Sequence, residues 1–287
     1  MPATPPSGAE AAGAAEAFGA SGASGASDAS TVAVDADAEL RRLHGFIAAF
    51  TRRQAARTVP VPGGFAALDD AYALSHGNNH VLIDGPTDPE ALPAVADEAL
   101  AGLPHRAVYV LDAATGDACA EPMARAGYAL TRTVLMRHTG PAPAPGGARE
   151  VGLPALRGPV AASWRRFLPD APDEVVRVLV ERRAARLRGT DDVRFLASLD
   201  ETGEPASWAD LYLDPAAGLA QIEDLVTAAD HLGRGHAGAV LDTALHLAER
   251  AGCPDRFLIA LADDWPRRWY ERRGFVVVGG VHCFERT

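Results

Sequence analysis

The 287-residue chain contains no lysine: all 27 of its basic side chains are arginine, set against 38 acids, for a net charge of -11. A chain short of cations lacks the means to neutralise many phosphates, so broad nucleic-acid affinity is not expected, although a local basic patch remains open. Long apolar stretches are missing too. No uninterrupted run approaches the roughly 20 residues that span a bilayer, so neither a transmembrane helix nor a membrane partner is expected. The N-terminus has no basic segment followed by an apolar one, which makes the cytoplasm the expected compartment. Cysteine is scarce: Cys119, Cys253 and Cys283 are odd in number and far apart. They fit neither a disulfide framework nor a zinc site and are expected to be buried as small hydrophobes, with no metal implied.

What is present describes a globular protein, 48% hydrophobic and 23% charged. Its length accommodates two domains at about 150 residues each. Residues 1–36 consist almost wholly of small, polar and acidic residues with one aromatic, Phe18. Such a segment buries too little apolar surface to offset its ordering entropy, and a disordered arm is expected. A Pro/Gly linker at 141–147, Pro141-Ala-Pro-Ala-Pro-Gly-Gly147, separates an N-terminal lobe (37–140) from a C-terminal lobe (148–287).

In the first lobe, Leu43, Phe46, Ile47 and Phe50 lie at helical spacing between Ala38 and about Arg57. Strands are expected at Phe65–Leu68, His80–Ile83, Ala107–Leu111 and Ala129–Met136. A helix is expected over Pro89–Leu103, with Asp88 as its N-cap. The second lobe reads as helices at Pro154–Phe167 and Pro172–Leu187, then strands at Val193–Leu199 and Ala206–Leu213 joined by a hairpin turn. A strand at Ala220–Thr227, a helix at Ala237–Ala251 ended by Gly252, a strand at Arg256–Ala262, a short helix near Pro266–Arg272 and a final pair of strands follow. Strands alternating with helices indicate an α/β protein with a mixed sheet.

The stretch Leu232-Gly233-Arg234-Gly235-His236-Ala237-Gly238 joins a strand to a helix. Glycines permit close backbone approach, and the first N–H groups of a helix favour an anion, so this is an anion cradle in outline. It lacks both the Gly-Lys-Ser/Thr ending of a nucleoside triphosphate loop and the G-x-G-x-x-G spacing. About thirty residues on, Tyr270 precedes Gly274-Phe275 by four residues on a short helix after a strand.

At these residues the chain resembles the GCN5-related N-acetyltransferase (GNAT) superfamily. That family's pyrophosphate motif, Q/R-x-x-G-x-G/A, is met by Gly235 and Ala237, while Leu232 stands in place of Gln or Arg. Its later tyrosine-helix motif is met by Tyr270, Gly274 and Phe275, with Asp263 replacing the usual Asn and Pro266 the usual Ala. The resemblance implies the GNAT fold, acetyl-CoA as co-substrate, and backbone of Leu232, Gly233, Arg234, Gly235, His236 and Ala237 around its pyrophosphate. It implies that the preceding strand splays from its neighbour and that Leu225, Val226 and Thr227 bond the pantetheine arm. Tyr270 is implied as the general acid.

For the base that deprotonates an amine, Glu223 is the first candidate and Asp224 the second. Strict strand alternation puts Gln221, Glu223 and Leu225 on one face and Ile222, Asp224 and Val226 on the other. His231 and His236 are expected to face solvent. Trp208, Trp265 and Trp269 fit an acceptor pocket, core packing or the inter-lobe contact equally well. Arg182, Arg183, Arg186 and Arg188 read as a solvated helix face.

The first lobe looks like a degenerate copy, Gly127-Tyr128 standing where Gly274-Phe275 stand. Its segment Asp84-Gly-Pro-Thr-Asp-Pro-Glu-Ala91 carries two prolines that remove N–H donors and three acids that repel a pyrophosphate. It is expected to bind no coenzyme A and to form one wall of the acceptor site. The expected activity is transfer of an acetyl group to an amine of a small molecule or peptide. An aminoacyl-tRNA-dependent transferase and a non-catalytic acyl-CoA-binding module are the alternatives.

Overall fold

The computed structural model describes residues 29–287, with side chains from residue 37. The expected arm lies mostly outside the described residues; 29–36 belong to helix α1, Ala29–Gln54, which starts ahead of the apolar stripe that announces it. That stripe is buried as expected, Leu43 completely. The N-terminal half continues with β1 (Arg57–Val61), β2 (Gly64–Leu68), β3 (His80–Ile83), α2 (Leu92–Ala99), β4 (Arg106–Val110), α3 (Ala113–Arg125) and β5 (Ala129–His138). The C-terminal half contains β6 (Arg149–Glu150), α4 (Leu153–Phe167), α5 (Asp173–Glu181), β7 (Asp192–Leu199), β8 (Pro205–Asp214), β9 (Leu219–Thr227), α6 (His236–Arg250), β10 (Asp255–Leu261), α7 (Trp265–Arg272) and β11 (Phe275–Arg286).

Four local readings are corrected. Asp88 does not cap α2: Ala91 holds that position without a side-chain bond, and the Asp88 carboxylate accepts from Glu90 N–H in the turn before it. The edge strand β1 replaces the expected end of α1; as an edge strand it tolerates Pro60, whose missing donor costs no ladder bond there. The helix over 172–187 is α-helical only to Glu181 and tightens into a 3-10 turn over Arg182–Arg188. The final pair of strands is one strand, β11, with a bulge at Val277/Gly279. Gly279 marks no turn; a Cβ there would lie 2.6 Å from Leu40 Cδ1, so glycine lets α1 settle on the sheet.

All eleven strands form one sheet, in the order β1-β2-β3-β4-β11-β5-β10-β9-β8-β7-β6. The last strand of each half crosses over: β11 lies between β4 and β5, and β5 lies between β11 and β10. Helix α1 covers this junction, where Phe46, Ile47 and Phe50 pack with Phe65, Leu135, Tyr212, Phe257 and Val281 from both halves. Helix α6 buries Val240, Leu241, Ala244 and Ala248 against β7, β8 and β9. The linker is fastened rather than free, since Gly146 and Ala148 N–H groups donate to Thr243 Oγ1 of α6. The three cysteines are buried, as expected, and none is joined in a disulfide.

Candidate active site

The site begins where two parallel strands part. Pairing of β10 with β9 ends at Phe257↔Gln221, although β9 runs on to Thr227 and β10 to Leu261. Beyond that point β10 pairs only with β5, so the facing edge of β9 is open. On its other side β9 remains paired with β8 as far as Ser207↔Thr227, and Ser207 Oγ donates to the Val226 carbonyl. Leu225 packs into the core, and Thr227 Oγ1 donates to Ser207 Oγ.

A bulge shifts the β8–β9 register between Trp208 and Asp210, and Asp224 adopts φ +49. An extra residue in one strand breaks its alternation. Glu223 and Asp224 therefore line the same cavity, with Gln221, instead of facing opposite sides of the sheet. The cavity, about 170 Å³, lies between the halves of the chain. Its walls include Ile47, Phe50 and Thr51 of α1, Leu82 of β3 and Ile259 of β10, so the N-terminal half forms one wall.

The arginine run is not a solvated face. In a 3-10 turn residues three apart eclipse, and Arg183 and Arg186 reach the same two acids. Arg183 donates through Nε to the fully buried Asp210 at 2.8 Å and through Nη2 to Asp224 at 3.4 Å. Arg186 pairs with Asp210 and, at 2.7 Å, with Asp224. Arg188 pairs with Asp69. Against the cost of burial, Arg186 and Arg183 hold the Asp224 carboxyl well below the usual carboxylate range. Burial, reinforced by the Asp224 charge, pushes Glu223 up to about 7, while Gln221 Nε2 donates to its Oε2 at 2.7 Å. Tyr270 is buried in the core formed with Leu225, Trp269 and Phe275. Burial first and the Glu223 charge second raise its phenol well above the ordinary range, so it carries its proton at neutral pH.

Beyond Thr227 the chain enters the glycine corner. Gly233 and Gly235 sit at φ +73 and +85, and a Cβ at either would meet open space, so backbone conformation and not crowding selects glycine. No side chain caps α6, and among the described residues no protein acceptor is bonded by the N–H groups of Gly233 through Gly238. They face a groove of about 1150 Å³ whose lining runs from Thr227 to Asp242 and includes Trp265, Arg268, Trp269 and Arg272. The Trp265 indole Nε1 is buried there without a protein partner.

Of the expected site residues, Thr227, Leu232, Gly233, Gly235, His236 and Ala237 border this groove, Glu223 and Asp224 border the cavity, and β9 runs from one to the other. Arg234 is exposed and outside the groove lining, as is Asp263. Asp264, not Asp263, caps α7 by accepting from Trp265 N–H. The two histidines do not simply face solvent: His236 Nδ1 bonds Ser198 Oγ at 2.8 Å, and the His231 ring packs edge-on against it. Trp208 is core, 1% exposed, and Trp265 and Trp269 line the groove. Sequence reasoning missed the inward arginines; their spacing of three is the signal, and it becomes legible only once the turn is known to be 3-10.

Residues 160–275 match the family model of the Acetyltransferase (GNAT) family. No curated protein matches the chain significantly. Among solved structures, a conserved protein of unknown function from Staphylococcus epidermidis superposes with a TM-score of 0.58 at 12% identity, covering 80% of this chain and 93% of that one. A GCN5-related N-acetyltransferase from Kribbella flavida superposes with a TM-score of 0.55 at 16% identity, covering 87% and 94%. Both likenesses are of fold. The family match lies over the strand fork, the glycine corner and Tyr270, so the region that matches the GNAT acetyltransferase family is residues 160–275 of the C-terminal half.

Proposed function

We propose that the protein transfers an acetyl group from acetyl-CoA to an amine held in the cavity between its halves. The observation that carries this reading is the fork between β9 and β10, with open N–H groups of a glycine corner at one end and Glu223 at the other. The residues present fit the co-substrate. Unbonded N–H groups at the start of α6 suit a pyrophosphate, and Arg268 and Arg272 beside them supply positive charge. The open edge of β9 over 222–227 offers backbone groups to an amide-bearing arm.

Glu223 is the general base. A carboxylate titrating near 7 takes a proton from an ammonium at neutral pH far better than an ordinary one. Asp224, held ionised by two guanidiniums, positions the arginines and raises Glu223. The free amine nitrogen then bonds to the acyl carbon, and the carbon–sulfur bond of the thioester breaks as the tetrahedral adduct collapses. Tyr270 gives its proton to the departing thiolate and regains one shed by the new amide nitrogen.

A thermal-shift titration with acetyl-CoA, with free CoA and ATP as controls, coupled to amine-dependent release of free thiol, tests the reading. Saturating acetyl-CoA at 100 times its Kd adds about 2.7 kcal/mol to the native state, and turnover follows with a suitable amine. Absence of any shift with acetyl-CoA sinks the donor assignment.

A further inference from the structure

We propose that the acceptor carries a carboxylate as well as its amine, being a small α-amino acid with an apolar side chain, and that Arg182 binds the carboxylate; this rests on the acyl-transfer reading. Arg182 lines the cavity together with Arg186, Glu223 and Asp224. Two of the three neighbouring arginines are taken up by acids, and Arg182 and Glu223 are left without an ion pair among the described residues. Asp210 and Asp224 are taken by Arg183 and Arg186. Among the described residues no carboxylate comes within 4.0 Å of the Arg182 guanidinium. Asp224 reaches it only through space, and Arg186 and Arg183 repel it.

The guanidinium is nevertheless held in place. Nη1 donates to Ser75 Oγ at 3.0 Å, the group lies over the Trp164 ring at 5.3 Å, and Gly77 leaves room for it from below. Arginine has five N–H donors, and Ser75 accounts for one. A half-buried cation without its counter-ion is costly, and a planar fork of donors suits a carboxylate in bidentate geometry. A phosphate fits the cavity less well, because Glu223 and Asp224 share its wall and would repel a second negative charge, and much of the remaining lining is apolar. An apolar cavity of roughly 150 Å³ takes a benzene-sized body, so about 170 Å³ accommodates one ring or a branched aliphatic chain, flanked here by Ile47, Phe50 and Leu82. The amine then meets Glu223 and the carboxylate meets Arg182.

The test is calorimetric binding and steady-state acetylation of L-leucine and L-phenylalanine against isopentylamine and phenethylamine, which differ only in the carboxylate. Wild-type protein is expected to favour the amino acids by roughly 10- to 100-fold in Kd and in kcat/KM, the range of a charge-assisted hydrogen bond. Arg182→Met is expected to erase that preference and Arg182→Lys to keep part of it, with the acetyl-CoA thermal shift retained in both as the check on folding. Equal or better use of the decarboxylated amines, a preference that survives in Arg182→Met, or binding of neither class overturns the proposal. Loss of the acetyl-CoA response with carboxylate-dependent binding intact overturns the acyl-transfer reading and leaves the carboxylate site standing.

Discussion

The two halves of the chain each place a loop between a strand and a helix beside a parallel strand pair, and the loops have opposite fates. In the N-terminal half the pair β3–β4 stays zipped to its end, with Leu111 N–H donating to the Ile83 carbonyl one step beyond the last ladder pair. The loop after β3 then uses up most of its donors. Asp84 and Gly85 N–H groups bond the Gly63 carbonyl, Glu90 N–H bonds Asp88, and Ala91 and Leu92 N–H groups bond the Asp88 carbonyl. In the C-terminal half the pair β9–β10 opens after Gln221, and the N–H groups from Gly233 to Gly238 bond no protein acceptor among the described residues. The lesson is that the two corners differ in the donors left over, not in glycine count alone.

The comparison is broken most severely at the fork. Glu223→Gln keeps size and the Gln221 contact but removes the proposed base, so acetyl transfer is expected to fall by about 10²–10⁴ in kcat while the acetyl-CoA thermal shift persists. Tyr270→Phe is expected to cost about 10²-fold in kcat with cofactor binding unchanged; wild-type turnover in that variant removes the general acid. At the glycine corner, Gly235→Glu forces a side chain into a left-handed backbone and puts a negative charge against the groove. It is expected to abolish the roughly 2.7 kcal/mol stabilisation by saturating acetyl-CoA. Gly85→Glu in the opposite corner, where φ is not positive and a Cβ meets nothing nearer than 3.7 Å, leaves that stabilisation whole. Coenzyme A binding that responds to Gly85→Glu would erase the proposed asymmetry.

A pH profile sharpens the contrast further. With Glu223 as the proposed base its ionised form is the active one, and kcat/KM is then expected to rise through an apparent pKa near 7 and to fall about tenfold per unit below it. Glu223→Gln should lack that limb. The smallest expected effect is Asp88→Ala, which removes the acceptor of Glu90 N–H and should cost about 1 kcal/mol in urea unfolding without touching cofactor response.

Much of this architecture is legible from local pattern. The stripe on α1, the hairpin turn closed by Gly203 at φ +91, the helix end at Gly252 and the glycine corner all depend on neighbours within a few residues. The misreadings share a different origin. Asp88-Pro89 has the chemistry of a cap and first helical residue, but the chain spends a hydrogen-bonded turn there first. Gly279-Gly280 has the composition of a turn, yet it lies mid-strand because Leu40 of α1 presses on it from far away in sequence.

The sequence by itself determined the element order, the mixed α/β character and the glycine corner with Tyr270, because turn chemistry, periodicity and backbone freedom are local properties. Only the tertiary structure decided that β5 and β11 cross between the halves, that the arginine run points inward onto Asp210 and Asp224, and that Glu223 and Asp224 share one cavity. Each of those outcomes follows from an interaction between distant segments. The bulge on β9 is defined against β8, and the 3-10 turn is held by acids on two strands.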